Sequence, residues 1–231
     1  MFLRFFFLAF LLHVSLIHSQ KLTPSDLTLD QYLQLHGYNL SPEGSGSKDN
    51  YALEGFSTDA QREQFVQLLK LHPHVTDVLE IGLNGGHSAE VFLKHCPNLK
   101  RFVSIDINWH SYTARAVEYL SKKYQGKFTF IAGDSTVKVP EFGTLHPEQK
   151  FDLIFIDGNH NYNYCLQDIL NTRALTRSNA LLIIDDYDNP SVQQAVRKCQ
   201  EMQVIEVRGV FHSQDLHGFR SWVEARYLDS K

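Results

Sequence analysis

The chain has 231 residues, 43% hydrophobic and 21% charged, with a formal net charge of −4. That length supports one ordinary domain with a full core, and the charge balance excludes bulk attraction to nucleic acid, which needs a cationic surface. Three cysteines, Cys96, Cys165 and Cys199, are too few for a disulfide framework, and no Cys-x-x-Cys pair suggests zinc.

The N-terminus differs from the rest. Arg4 precedes an apolar run from Phe5 to Ile17, and Ser19 offers a small residue for cleavage. A positive start, an apolar stretch and a small residue predict a secretory signal peptide over residues 1–19. The run is short against the ~20 apolar residues of a membrane span, and His13 interrupts it. The expectation is therefore a secreted or secretory-pathway protein with no stable membrane span after cleavage. An uncleaved membrane anchor is the alternative. In that pathway Asn39-Leu40-Ser41 would be a glycosylation acceptor triplet.

Residues 20–56 read as an N-terminal extension and linker. A modest helical pattern surrounds Leu27, Tyr32 and Leu33, and Ser41-Pro-Glu-Gly-Ser-Gly-Ser47 has loop composition. Residues 57–231 then read as one domain. Thr58 and Gln61 have the spacing of a capping box, opening a helix through Phe65, Leu68 and Leu69. Strands are predicted over residues 75–81, 101–105, 128–131, 151–156 and 180–184. Helical patterns at 88–95, 111–123, 162–175 and 191–201 separate most of them, and strands at 204–210 and 221–227 close the chain. Runs such as Leu153-Ile-Phe-Ile156 are continuously apolar, as in strands buried on both faces. The predicted class is α/β: a doubly wound, mostly parallel seven-stranded sheet with helices on both faces.

Ligands of such folds bind beyond the carboxyl ends of the strands. The first strand ends at Glu80-Ile-Gly82, the second at Asp106, the third at Gly133-Asp-Ser135, the fourth at Asp157-Gly-Asn-His160 and the fifth at Asp185-Asp186. Acids at all five strand ends exceed what helix capping explains. Gly82, Gly85 and Gly86 form a tight turn ahead of a helix start at Ser88, letting backbone N–H groups approach a ligand. Their spacing is not the Gly-x-Gly-x-x-Gly of dinucleotide binding, which argues against a nicotinamide oxidoreductase. Glu80 suits a cationic ligand such as the sulfonium and α-amino group of S-adenosylmethionine. Asp106, 24 residues after Gly82, is placed to accept the two hydroxyls of a ribose or, alternatively, to cap the next helix. Asp157, Asp185 and Asp186 would repel one another unless neutralised. A hard divalent cation, Mg²⁺ or Ca²⁺, does this and polarises a substrate hydroxyl. The alternative is that Asp185 and Asp186 only begin a turn. His160, three residues after Asp157, is a candidate to take the hydroxyl proton, and His87 a candidate to shape the pocket.

Leu79-Glu-Ile-Gly-Leu-Asn-Gly-Gly-His-Ser-Ala89 resembles the first motif of the metal-dependent catechol O-methyltransferases. It is more similar still to a broad group of class I S-adenosylmethionine-dependent enzymes, the family-24 methyltransferases. These carry Asp-Gly-x-His after the fourth strand, as Phe151-Asp-Leu-Ile-Phe-Ile-Asp-Gly-Asn-His160 does here. The resemblance spans about residues 76 to 190 and implies a Rossmann-like methyltransferase fold. It further implies that Glu80, Gly82, Gly85 and Gly86 contact the methionine part of the cofactor and that Ser88 holds its carboxylate. Asp106 would hold the ribose, Asp134 and Ser135 would lie against the adenine, and Asp157, Asp185 and Asp186 would ligate the cation. The catechol enzymes have Asp-Asn in place of Asp185-Asp186 and a lysine general base in place of His160; a histidine there suits a different substrate acidity or a direct metal-ligand role. Asp157 and His160 are the catalytic candidates. The expected activity is S-adenosylmethionine-dependent O-methylation of a small hydroxylated molecule. The alternative is a secreted, non-catalytic binding protein on the same fold.

Overall fold

The computed structural model describes residues 26–39, 51–52, 57–215 and 218–228. The predicted signal peptide and the 41–47 loop lie outside them. The extension contributes helix α1 (Leu29–Leu35), opened by a full capping box between Thr28 and Gln31. Leu29 and Leu33 are fully buried, and the Tyr32 ring lies 5.4 Å from that of Tyr119. Helix α1 therefore packs into the main core. Two short strands follow, β1 (Tyr38–Asn39) and β2 (Tyr51–Ala52), paired in parallel.

Helix α2 (Asp59–Leu71) starts at Thr58, whose hydroxyl accepts from Gln61 N at 3.2 Å. Only half of the expected capping box forms, because the Gln61 side chain reaches Asp185 instead. The chain then alternates: β3 (Asp77–Ile81), α3 (His87–His95), β4 (Arg101–Asp106), α4 (Ser111–Lys123), β5 (Phe128–Ala132), α5 (Ser135–Leu145), β6 (Phe151–Ile156), α6 (Tyr162–Thr172), β7 (Thr176–Ile184), α7 (Pro190–Glu201), β8 (Ile205–Asp215) and β9 (Gly218–Tyr227). The sheet order is β5-β4-β3-β6-β7-β9-β8. The first five strands in that order are parallel; β9 runs antiparallel to β7, and β8 antiparallel to β9. This is the doubly wound, seven-stranded sheet that the apolar runs predict.

One core layer, on the α1–α4 face, centres on Phe65, Phe92, Phe155 and Trp222. The other, on the α5–α7 face, holds Ile154, Ile169, Ile184 and Val196. Each buried large apolar side chain contributes roughly 1.5–3 kcal/mol. The three cysteines are free and buried. Among the described residues no helix is long and apolar enough to cross a membrane.

Two differences from the sequence reading have local causes. Helix α5 goes unpredicted because Pro140 and Gly143 interrupt its pattern. Residues 173–175 tighten into a 3₁₀ turn instead of extending α6. Strand order reverses at β3, with β4 and β5 on one side and β6 and β7 on the other. The cleft of such a sheet opens at that switch point.

Candidate functional site

A cavity of about 380 Å³ opens there. Gly82, Asn84, Asp106, Asp134, Ser135 and Asp157 supply much of its lining. Gly82 fixes its geometry. Its φ is +92°, and an added Cβ would lie 2.0 Å from the Asp157 carbonyl oxygen, so only glycine lets the ends of β3 and β6 meet this closely. Gly86, at φ +81°, is the N-cap of α3.

Asp106 braces the turn. Its Oδ2 accepts from Leu83 N at 2.8 Å and Asn84 N at 3.0 Å, and its Oδ1 accepts from Asn108 N at 2.6 Å. It does not cap α4, whose N-cap is His110. The same carboxylate thus ties the glycine turn to the 107–110 loop. That loop supplies side chains the sequence reading did not single out: Ile107 and Trp109 line the cavity at 54% and 79% exposure, joined from α6 by Tyr164. The signal was available, since a large apolar residue and an indole follow Asp106 directly. His110 stacks on Tyr112 at 4.7 Å and Tyr112 meets the edge of Tyr38, so the loop rests on the N-terminal extension.

Glu80 sits behind the turn, fully buried. Ser88 Oγ donates to its Oε1 at 2.7 Å and Ser104 Oγ to its Oε2 at 2.6 Å. Burial pushes its pKa up to about 8 against those two hydrogen bonds. Glu80, Gly85, Gly86 and Ser88 support the cavity without lining it, whereas Gly82, Asp106, Asp134, Ser135 and Asp157 do line it. Asp134 also caps α5, accepting from Thr136 N at 2.9 Å. His87 does not shape the cavity: it is buried and pairs with Asp30 of α1 at 2.8 Å.

Beside the cavity the ends of β6 and β7 bring Asp157, His160 and Asp186 together, with one ligand atom from each within 4.8 Å of the others. His160 Nε2 lies 2.7 Å from Asp186 Oδ2 and 3.9 Å from Asp157 Oδ1. Asp157 and Asp186 together push the His160 pKa up to about 10. Burial raises Asp157 to about 7. Burial also acts on Asp186, but the hydrogen bond and charge of His160, with the charge of Arg220, bring it below the usual carboxylate range. Asp185 stands apart from the cluster. Gln61 Nε2 lies 2.8 Å from each of its oxygens, and burial raises its pKa strongly. The sequence suggests Asp185 as a cation ligand and His160 as the base or a direct ligand; the structure gathers His160 with Asp157 and Asp186 and turns Asp185 toward α2. Two carboxylates and an imidazole suit a divalent cation as a donor set. The imidazolium neutralises the same acids.

Residues 79–187 match the family described as a methyltransferase domain. An O-methyltransferase from Bacillus cereus, solved in complex with SAH, superposes with a TM-score of 0.65 at 19% identity, over 94% of this chain and 97% of that one. The O-methyltransferase TomG from Streptomyces achromogenes, involved in tomaymycin synthesis and solved with SAM, gives 0.65 at 20% identity over 94% and 96%. At these identities the likeness establishes the fold. No curated protein sequence matches the chain significantly.

Proposed function

We propose that this enzyme, whose residues 79–187 match the family described as a methyltransferase domain, transfers a methyl group from S-adenosylmethionine to a hydroxyl oxygen of a small molecule with the help of a divalent cation. The observation that carries the proposal is the continuity of the cleft. One cavity runs from Gly82 and Asp106, past Asp134, to Asp157, whose carboxylate belongs to the Asp157–His160–Asp186 cluster. The cofactors in the superposed structures support the same reading.

S-adenosylmethionine supplies an already activated methyl on sulfur, so alignment is the main task left to the protein. The Gly82 turn gives close backbone approach. Asp106 holds that turn and offers its remaining lone pairs to the ribose, and Asp134 and Ser135 face the adenine. Asp157 and Asp186 would hold a divalent cation, Mg²⁺ or Ca²⁺, through their oxygens, with His160 beside them; the chemistry of the cation is to lower the pKa of a bound hydroxyl. Asp185, held by Gln61 and inclined by burial to keep its proton, sits behind that set. With the cation's charge in place His160 would give up its own proton, and its Nε2, 2.7 Å from Asp186 Oδ2, would then be the base that takes the hydroxyl proton. The apolar run from Phe5 to Ile17 supports placing this activity in the secretory pathway, behind a cleaved signal.

The test is transfer of labelled methyl from S-adenosylmethionine to a library of hydroxylated small molecules. Transfer should stop with chelator and return with Mg²⁺. Asp157→Ala should abolish it, while Asp186→Asn keeps part of it. Wild-type rates from Asp157→Ala in chelator would rule the cation out.

A further inference from the structure

The β8–β9 hairpin reaches the carboxyl edge of the sheet beside β7. Ile184 pairs with Val223, and Tyr187 N donates to Ser221 O at 2.7 Å. Arg220 is thereby carried to the level of Asp185 and Asp186. Side chains alternate along β9, so Arg220 shares a face with Trp222, which packs on Phe65 of α2. Asp185 turns toward the same helix through Gln61.

Arg220 is half-buried, and its hydrogen bond goes to the neighbouring Phe219 carbonyl at 3.3 Å. Among the described residues no carboxylate forms an ion pair with it. Its charge still reaches the cluster, opposing the effect of burial on Asp157 and Asp186. Its cross-strand partner is Ser213, which is buried and whose hydroxyl has no hydrogen-bond partner among the described residues. A planar guanidinium lacking an ion-pair partner offers paired N–H donors that match a carboxylate or a phosphate. Elsewhere along this edge the strand-end acids would repel such a group.

We infer that the methyl acceptor carries an anionic group, and that Arg220, with the Ser213 hydroxyl across the hairpin, binds it while the acceptor's hydroxyl faces the Asp157–His160–Asp186 cluster. The inference rests on the proposed O-methyl transfer in the same cleft. It gives the acceptor a direction: its anionic end lies on the hairpin and its hydroxyl end lies toward the cavity. An arginine serving only as counter-ion to the acids would favour charged and neutral acceptors alike.

The experiment is calorimetry on the full chain, saturated with SAH in Mg²⁺. The probes are 3,4-dihydroxybenzoate, 3-hydroxybutyrate and glycerol 3-phosphate, each against its neutral counterpart, 3,4-dihydroxybenzamide, 3-hydroxybutyramide or glycerol. At least one anion should bind ten times more tightly than its counterpart, the scale of a charge-assisted hydrogen bond, and the pair that shows the preference tells carboxylate from phosphate. Arg220→Gln should erase that preference while SAH affinity stays the same, and Arg220→Lys should keep part of it. A preference that survives Arg220→Gln, or no preference for any anion in the wild type, would overturn the inference. Failure of SAH itself to bind would instead overturn the methyltransferase reading.

Discussion

Replacing Glu80 with glutamine should make the protein more stable at neutral and alkaline pH, with a pH dependence that follows from burial. The carboxyl is fully buried behind the glycine turn, and its pKa rises from 4.5 to about 8. Between those values the folded protein keeps a proton that the unfolded chain has lost. Stability therefore falls as pH rises through this window and levels off above it. Each pKa unit is worth about 1.4 kcal/mol, so the whole window is worth on the order of 3–5 kcal/mol. Glutamine has nearly the same shape, and its amide can exchange hydrogen bonds with Ser88 and Ser104 by rotation of their hydroxyls. It does not titrate. The assay is thermal unfolding of both proteins at matched ionic strength from pH 5 to pH 9. The variant's advantage should grow from near zero at pH 5 to roughly 10 °C at pH 8, at about 2–4 °C per kcal/mol for a domain of this size. An advantage that is constant across this range, or that shrinks with rising pH, would refute the argument that burial holds the proton on Glu80.

Three further substitutions probe the cleft. Gly82→Ala places a Cβ 2.0 Å from the Asp157 carbonyl oxygen at φ +92°; unfolding should show a loss of at least about 2 kcal/mol, and calorimetry should show no SAH binding. Asp106→Ala removes the acceptor of three backbone N–H groups, so SAH affinity should fall at least tenfold, and unchanged affinity would locate the ribose elsewhere. Trp109 is 79% exposed and the other tryptophan, Trp222, 1%, so fluorescence that responds to SAH reports on Trp109. Trp109→Ala should remove the response and weaken binding by roughly tenfold, as loss of aromatic stacking on a base would.

The parallel strands were legible because their burial on both faces leaves uninterrupted apolar runs, as in Leu153-Ile-Phe-Ile156. The acids that end those strands were legible for the same reason. Helix α5 was not, because Pro140 and Gly143 break its periodicity and tertiary packing holds it. Which of two adjacent acids joins a cluster is also invisible in sequence. Asp186 adopts a left-handed φ of 50°, and Asp185 is drawn to Gln61, 124 residues away along the chain. Gln61 read as a capping residue because local spacing is all that a sequence displays. Arg220 carries no motif, and its place follows only from the hairpin register.

Native mass spectrometry of the purified full chain, before and after titration with SAH, reads cofactor binding itself. One equivalent of S-adenosylmethionine or SAH per chain is expected, displaceable by added SAH and much weakened in Gly82→Ala. A folded wild-type protein that carries neither molecule and takes up none at saturating SAH would contradict S-adenosylmethionine-dependent methyl transfer.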